Sequence, residues 1–301
     1  MIYWLLVIIM AYLCFSLSSF GDKLVLSGPV NRRLYIFYVG CFSLLSLLLI
    51  PFIGLSIPSA STFLWIFLSA VFFMSGLYVL YAAVEQFEVS MVVPIVGAIQ
   101  PIFILVFSWL TMGFTSIKVS SLLALSILLV ASILISFEKK LNLTKKLLNL
   151  ALLSAFLNAL SLMFIKLVFL NLDFFHGLIW MGFLNFLVAM LCLLNNNFRQ
   201  DIFVRRAAYN KKSILLVILV QLIGGLAGFL QNFAVFLAPF SSLAIINALR
   251  GIQYVFLFLL TLIFSVFLPR ILKEEISKQA IIQKIMAILL IMVGLVILVL
   301  Y

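Results

Sequence analysis

Apolar residues run along almost the whole chain in blocks of about 20, separated by short polar segments. A block of this length spans the hydrocarbon core of a bilayer when it forms a helix. Each such block therefore predicts one membrane-spanning helix, and ten can be counted: 2–20, 34–54, 62–84, 90–112, 118–137, 147–169, 174–195, 213–237, 241–268 and 281–300. The pattern predicts an all-α polytopic membrane protein with ten transmembrane helices and short loops.

The composition supports this prediction. Of 301 residues, 67% are hydrophobic and 9% are charged, which is too little polar surface to enclose the core of a water-soluble domain. The first block has neither a basic segment before it nor a small-residue cleavage site after it. We therefore expect it to be a retained helix and not a removed signal peptide.

The net charge of +11 follows the placement of basic residues and does not indicate a nucleic-acid surface. Of the 19 lysines and arginines, 16 flank the odd-numbered loops between the predicted helices. By the positive-inside rule, these loops face the cytoplasm. With ten helices, both termini then face outward, and we expect the protein in the cytoplasmic (inner) membrane of a bacterium.

The two halves of the chain are weakly similar to each other. When PIVGAIQPIF (94–103) is aligned with NALRGIQYVF (247–256), Gln100 falls on Gln253. Segments at the start of each half align in the same order. The chain is therefore expected to contain an internal repeat.

Each half contains five predicted helices. Because five is odd, the second half must enter the membrane in the opposite orientation to the first. We predict two inverted five-helix repeats, 1–140 and 141–301, a plan found in many secondary transporters with the binding site near the midplane.

The stretch EEISKQAIIQKIMAILLIMVGLVIL (274–298) resembles the repeat ending of the drug/metabolite transporter superfamily, EamA-like branch. That ending comprises a glutamate, a short turn, a glutamine and an apolar helix with a late glycine, matched here by Glu275, Ser277, Gln279 and Gly294. The first half keeps Gly113 but has Phe114 at the acidic position, and Pro94 and Pro101 suit the family's proline-bearing fourth helix.

The resemblance implies ten helices in two repeats around a central substrate pathway. Members of the family often have cytoplasmic termini, whereas the charge pattern of this chain predicts outward termini.

One arginine, Arg250, lies in the middle of the ninth predicted helix. Its guanidinium stays protonated at any working pH, and at a bilayer centre it costs roughly 2.5–3.5 kcal/mol on the insertion scale. At about 100° per residue, Asn247, Gly251 and Tyr254 share its face of the helix, with Gln253 at the edge.

All eight acidic residues lie at or beyond the predicted helix ends. No carboxylate is then available at the depth of Arg250 unless Glu85 reaches inward, which stays open as an alternative. We predict that Arg250 faces a water-filled central cavity and binds an anionic group of a ligand.

The predicted substrate-binding residues come from three helices. Gln100 lies on the fourth helix, and the eighth carries a face of amides and glycines. The full set is Arg250, Asn247, Tyr254, Gln253, Gln100, Gln231 and Asn232. We expect no catalytic, cofactor or metal site, because His176 is isolated and the three cysteines are scattered.

These features predict a secondary transporter of a small organic metabolite that works by alternating access and favours an anionic or zwitterionic substrate. Expected partners are that small molecule and the lipid bilayer, with a coupling ion or a counter-substrate, and no nucleic acid. A flippase-like transporter of a lipid-linked or amphipathic substrate is the alternative. An intramembrane enzyme would need a buried catalytic set, which the pattern lacks.

Overall fold

The computed structural model describes residues 3–26, 31–87, 89–112, 119–136, 144–203, 211–267 and 278–300, and their regular structure is entirely helical. In chain order the α-helices are α1 (Tyr3–Leu26), α2 (Arg32–Ser43), α3 (Ile50–Ile53), α4 (Ala60–Val84), α5 (Val89–Met112), α6 (Val119–Ser136), α7 (Lys145–Phe169), α8 (Phe174–Cys192), α9 (Asn196–Phe203), α10 (Lys211–Leu237), α11 (Leu243–Ala248), α12 (Gly251–Phe267) and α13 (Lys278–Leu300). Two 3₁₀ segments, Leu44–Leu49 and Phe240–Ser242, join α2 to α3 and precede α11.

Seven of the described segments are long and apolar enough to cross a bilayer: Tyr3–Asp22, Arg32–Ile53, Ala60–Val84, Lys145–Phe169, Phe174–Cys192, Ile214–Leu237 and Phe240–Leu257. Three shorter apolar helices accompany them: Ile95–Thr111, Leu122–Ala131 and Ile285–Gly294. The all-α fold is confirmed, and the seven spans indicate a multi-pass integral membrane protein. The count of ten spans stays a prediction.

Several residues that carry the family resemblance lie outside the described residues, namely Gly113, Phe114, Glu275 and Ser277. The late glycine Gly294 is described. A Cβ on it would lie 2.9 Å from Leu128, so this glycine lets α13 approach α6 closely.

The first helix is longer than the predicted span 2–20, since α1 continues to Leu26. The helix continues through Gly21, and the missing side chain of this glycine lets α1 pack closely against α10. A Cβ there would lie 2.3 Å from a methyl carbon of Val220 on α10. The extension places Asp22 inside a helix, which corrects the expectation that every acidic residue lies at or beyond a helix end.

The second span is not uniformly α-helical. Its middle tightens to a 3₁₀ segment before Pro51, and a proline inside a helix removes one hydrogen bond and clashes with the carbonyl four residues earlier. On the facing helix α8, a Cβ on Gly182 would lie 2.4 Å from the Ser43 carbonyl oxygen. Backbone packing against α8 therefore accompanies the irregular stretch.

Pairing between helices follows a regular scheme. Helix α1 packs along α10, α4 along α7, and α6 along α13. Helix α2 and the 3₁₀ segment after it pack on α8, and α5 packs on α7 and α11. Small residues lie at these contacts: a Cβ on Gly224 of α10 would lie 2.9 Å from the Ser18 hydroxyl oxygen of α1. Small residues of this kind let membrane helices approach closely.

Lys166 is buried in the last turn of α7. Its ammonium donates to the carbonyl oxygens of Val235 (2.8 Å), Phe236 (3.3 Å) and Ala238 (2.5 Å). These carbonyls lie at the C-terminal end of α10, where a helix leaves acceptors unpaired and a cation is favourable. Lys166 therefore caps the C-terminal end of α10 by donating hydrogen bonds to its last carbonyl groups.

We expect Lys166→Met to lower the free energy of unfolding by about 2–4 kcal/mol, because the methionine fills the space but leaves buried carbonyls without a donor. Lys146→Met, at an exposed position of the same helix, should change it by less than about 0.5 kcal/mol. Thermal and denaturant unfolding in detergent measures both. Equal effects of the two substitutions would contradict the assigned role.

Candidate functional site

The candidate site is built around an interruption of the predicted helix 241–268. Helix α11 ends and α12 begins with Leu249 and Arg250 in a turn between them. The Arg250 N–H donates to the Asn247 carbonyl (3.1 Å), and the Gln253 N–H donates to the Arg250 carbonyl (2.9 Å). Both bonds reach back three residues instead of the four of an α-helix. The predicted helix 241–268 is therefore interrupted at Leu249–Arg250, within the apolar span Phe240–Leu257.

A side chain from the first helix replaces the bond lost at this turn. In a regular helix the Ile246 carbonyl would accept from the Arg250 N–H. Here it accepts from the hydroxyl of Tyr12, at 2.5 Å, and that tyrosine is completely buried. Broken helices of this kind occur in membrane proteins only where other groups satisfy the freed backbone, and several transporter families build their binding sites on them.

The Arg250 side chain is partly buried and reaches α5. Its Nη1 donates to Oε1 of Gln100 at 3.0 Å, and it also interacts with the Tyr12 hydroxyl. Among the described residues no carboxylate lies within salt-bridge distance of it. Glu85, the alternative partner, instead accepts from Arg32 at 2.8 Å.

One guanidinium donor is unused. The Nε of Arg250 is buried and has no hydrogen-bond partner among the described residues. Nε belongs to the edge of the guanidinium that grips a carboxylate or phosphate with two parallel bonds. An uncompensated positive charge with a free donor on this edge is suited to an anionic group.

Asn247 adds two further unused groups. It is 0% exposed, and within the described chain neither its side-chain nitrogen nor its oxygen has a hydrogen-bond partner. Leaving a buried polar group unpaired costs about 1–3 kcal/mol, and native structures contain few such groups. One turn before Arg250, this amide can donate to and accept from a polar ligand.

The remaining two predicted site residues of the ninth predicted helix, Tyr254 and Gln253, form hydrogen bonds to other protein groups. The Tyr254 hydroxyl donates to the Val93 carbonyl of α5 (3.0 Å), and a Cβ on Gly97 would lie 1.8 Å from that hydroxyl oxygen. The Gln253 amide donates to the Ser19 hydroxyl of α1 (3.0 Å). Tyr254 therefore packs against α5, whereas Gln253 faces α1.

Gln231 and Asn232 are not part of this cluster. Both are partly buried on α10, and neither forms a hydrogen bond to Arg250 in the described part of the chain. On the same helix, a Cβ at Gly225 or Gly228 would have nothing within 4 Å. The structure thus brings together five of the seven predicted residues around α5, α11, α12 and α1, and leaves two on a separate helix.

Sequence reasoning missed Tyr12 and Asp22 on α1. Tyr12 supports the helix interruption, and Asp22 accepts a hydrogen bond from Tyr35. The sequence contained a pattern that could have indicated them. Ser19 follows Tyr12 by seven residues and Asp22 follows Ser19 by three, so the three polar residues fall near one face of the helix. This polar face was missed because the helix was predicted to end at residue 20, before Asp22.

No family model matches the sequence, and no curated protein matches it. A solved structure described only as the crystal structure of a protein aligns with a TM-score of 0.67 at 12% sequence identity, covering 97% of this chain and 93% of that chain. At this identity the likeness shows a shared fold over nearly the whole length and nothing about activity.

Proposed function

We propose that the protein is a secondary transporter of a small organic anion or zwitterion that works by alternating access. The observation that carries this proposal is the interruption at Leu249–Arg250. There, within the described residues, a membrane-embedded arginine has a neutral protein partner, an Nε without a hydrogen-bond partner, and the unpaired amide of Asn247 one turn away. A buried cation needs a carboxylate, a set of carbonyl oxygens or an anionic ligand, and for Arg250 a transported anion can supply that partner.

The pairing of helices supports the repeat organisation on which the mechanism depends. When the seven long spans and the three shorter apolar helices are numbered together from one to ten, α1 with α10 is the pair 1–8, and α4 with α7 is the pair 3–6. A shift by five converts one pair into the other. The same shift maps the α6–α13 pair (5–10) onto itself. This exchange fits inverted repeats 1–140 and 141–301.

The proposal agrees with the resemblance of the chain's end to the EamA-like drug/metabolite transporters. In alternating access, two inverted bundles rock against each other around a site near the midplane. In this reading, Arg250 binds the substrate's anionic group, Asn247 bonds a second polar group, and Gln100 orients the guanidinium from α5. Tyr254 and Gln253 hold α12 against its neighbours.

A metabolite screen in proteoliposomes tests the proposed function. Vesicles that contain the purified protein are incubated with a cell metabolite extract, with and without a pH gradient, and their contents are identified by mass spectrometry. We expect specific accumulation of compounds that carry a carboxylate or phosphate, relative to protein-free vesicles. Accumulation of cations would contradict the proposal, and movement of labelled lipid between leaflets would favour a flippase.

A further inference from the structure

A second polar centre lies on α1, away from the Arg250 site. Asp22 is partly buried at the end of the membrane-spanning segment Tyr3–Asp22. The Tyr35 hydroxyl of α2 donates to its Oδ1, and the same hydroxyl interacts with Gln221 of α10. Tyr81 of α4 completes the group, with its ring centroid 5.2 Å from that of Tyr35. Four helices therefore meet at one carboxylate.

Among the described side chains, the groups that face this carboxylate are neutral. Tyr35 is 0% exposed and Tyr81 is 7% exposed, Gln221 carries no charge, and α12 contributes Gln253 one turn away at Ser19. Within the described side chains, no lysine or arginine forms a salt bridge to Asp22. The two arginines of α2 form ion pairs with other residues, Arg32 with Glu85 and Arg33 with Asp201. An ionisable group among neutral partners in a membrane protein marks an ion or proton pathway.

Helix α1 carries Asp22 and also contacts the turn that holds Arg250. Tyr12, which contacts the Arg250 turn, and Asp22 are ten residues apart on α1, about 15 Å at 1.5 Å per residue. Between them the Ser19 hydroxyl accepts from Gln253 of α12. Among the described side chains, α1 thus connects a cation without an ion-pair partner at one depth with a carboxylate without an ion-pair partner at another.

We propose that Asp22 is the proton-binding site of the transporter and that a proton at Asp22 is cotransported with an anion at Arg250. This inference rests on the proposed transport function. The proton comes from water on one side of the membrane, adds to Oδ2 of the carboxylate while Tyr35 stays on Oδ1, and leaves to water on the other side. No other bond forms or breaks.

The coupling follows from charge. With Asp22 ionised, the two centres carry opposite charges, and with Asp22 protonated only the positive charge of Arg250 remains to attract an anion. With the rise of about 15 Å between Tyr12 and Asp22 taken as the separation of the two centres, and an effective dielectric constant of about 20, this difference changes anion affinity by about sixfold. Coupling is reciprocal, so a bound anion favours proton binding by the same factor. Proton and anion therefore move in the same direction.

Infrared difference spectroscopy on the reconstituted protein tests the proton site without any substrate. As the pH is lowered from about 8 to about 6, a range in which exposed carboxylates stay ionised, the wild type should gain the carbonyl band of a protonated carboxylic acid. Asp22→Asn keeps an oxygen that accepts from Tyr35, so it should fold, yet it should lose this band. Asp173→Asn, at a side chain that is 90% exposed, should keep it. A wild type without the band, or a band that persists in Asp22→Asn, would overturn the inference.

A transport assay in vesicles distinguishes failure of this inference from failure of the proposed function. The probes are radiolabelled lactate and glycerol phosphate, together with any anion that the metabolite screen identifies, in vesicles with an acidic exterior. Wild type and Asp173→Asn should accumulate the transported anion and acidify the lumen. Asp22→Asn should still exchange labelled for unlabelled anion but lose accumulation and lumen acidification. Exchange absent from the wild type would refute the transport proposal, whereas gradient-driven accumulation by Asp22→Asn would refute only the role of Asp22.

Discussion

Arg250→Gln is expected to reduce anion transport by roughly 30- to 1,000-fold. The glutamine removes the only charge assigned to the substrate's anionic group, and losing one partner of a desolvated charge pair costs about 2–4 kcal/mol. Arg250→Lys keeps the charge but loses the planar two-pronged donor, so it should weaken transport by about tenfold. Initial rates of anion exchange in proteoliposomes measure both variants.

Stability distinguishes a substrate site from a structural one. Removing the arginine relieves a burial cost of about 2.5–3.5 kcal/mol and loses a charged hydrogen bond to Gln100 worth about 1.5–3 kcal/mol. The free energy of unfolding of Arg250→Gln should therefore stay within about 1 kcal/mol of the wild type when no substrate is present. Arg199→Gln removes the same charge from an exposed position and should leave transport unchanged. A marked loss of stability in Arg250→Gln would show that the protein itself uses this charge.

Gly97→Val is expected to destabilise the protein by about 2–4 kcal/mol. The first atom of any side chain at Gly97 would lie 1.8 Å from the Tyr254 hydroxyl oxygen and 3.3 Å from Cδ of Arg250. Overpacking of this kind typically costs about 1–3 kcal/mol, and the displaced tyrosine also loses its bond to the Val93 carbonyl, worth about 1 kcal/mol. Denaturant unfolding in detergent measures the loss.

Gly225→Val is the matched control. It makes the same change on α10, where a Cβ meets nothing within 4 Å. Valine is a somewhat better helix former than glycine, so stability should stay within about 0.5 kcal/mol. Because Gly97 borders Arg250, Gly97→Val should also slow anion exchange at temperatures where the variant is still folded. A stable and fully active Gly97→Val protein would rule out the close packing of α5 against α12.

The Arg250 site was partly visible in the sequence. A single arginine in a long apolar segment is conspicuous in the sequence. The periodicity of an α-helix also placed Asn247 and Tyr254 near it. Gln231 and Asn232 were assigned to the same site because they are polar residues on a glycine-rich face. Which helix faces α10 is decided by packing, however, and in the described part of the chain the main neighbour of α10 is α1 rather than α5, α11 or α12.

The sequence by itself determined the helical blocks and the membrane environment, because span length and apolar composition are local properties of the chain. Only the tertiary structure decided where the helices break and which charges are unpaired. The turn at Leu249–Arg250 depends on the Tyr12 hydroxyl, which satisfies the Ile246 carbonyl from 234 residues away in the chain. Likewise, Asp22 is a partly buried carboxylate because three other helices pack around it. Both features depend on hydrogen bonds between distant residues, and no local pattern encodes those.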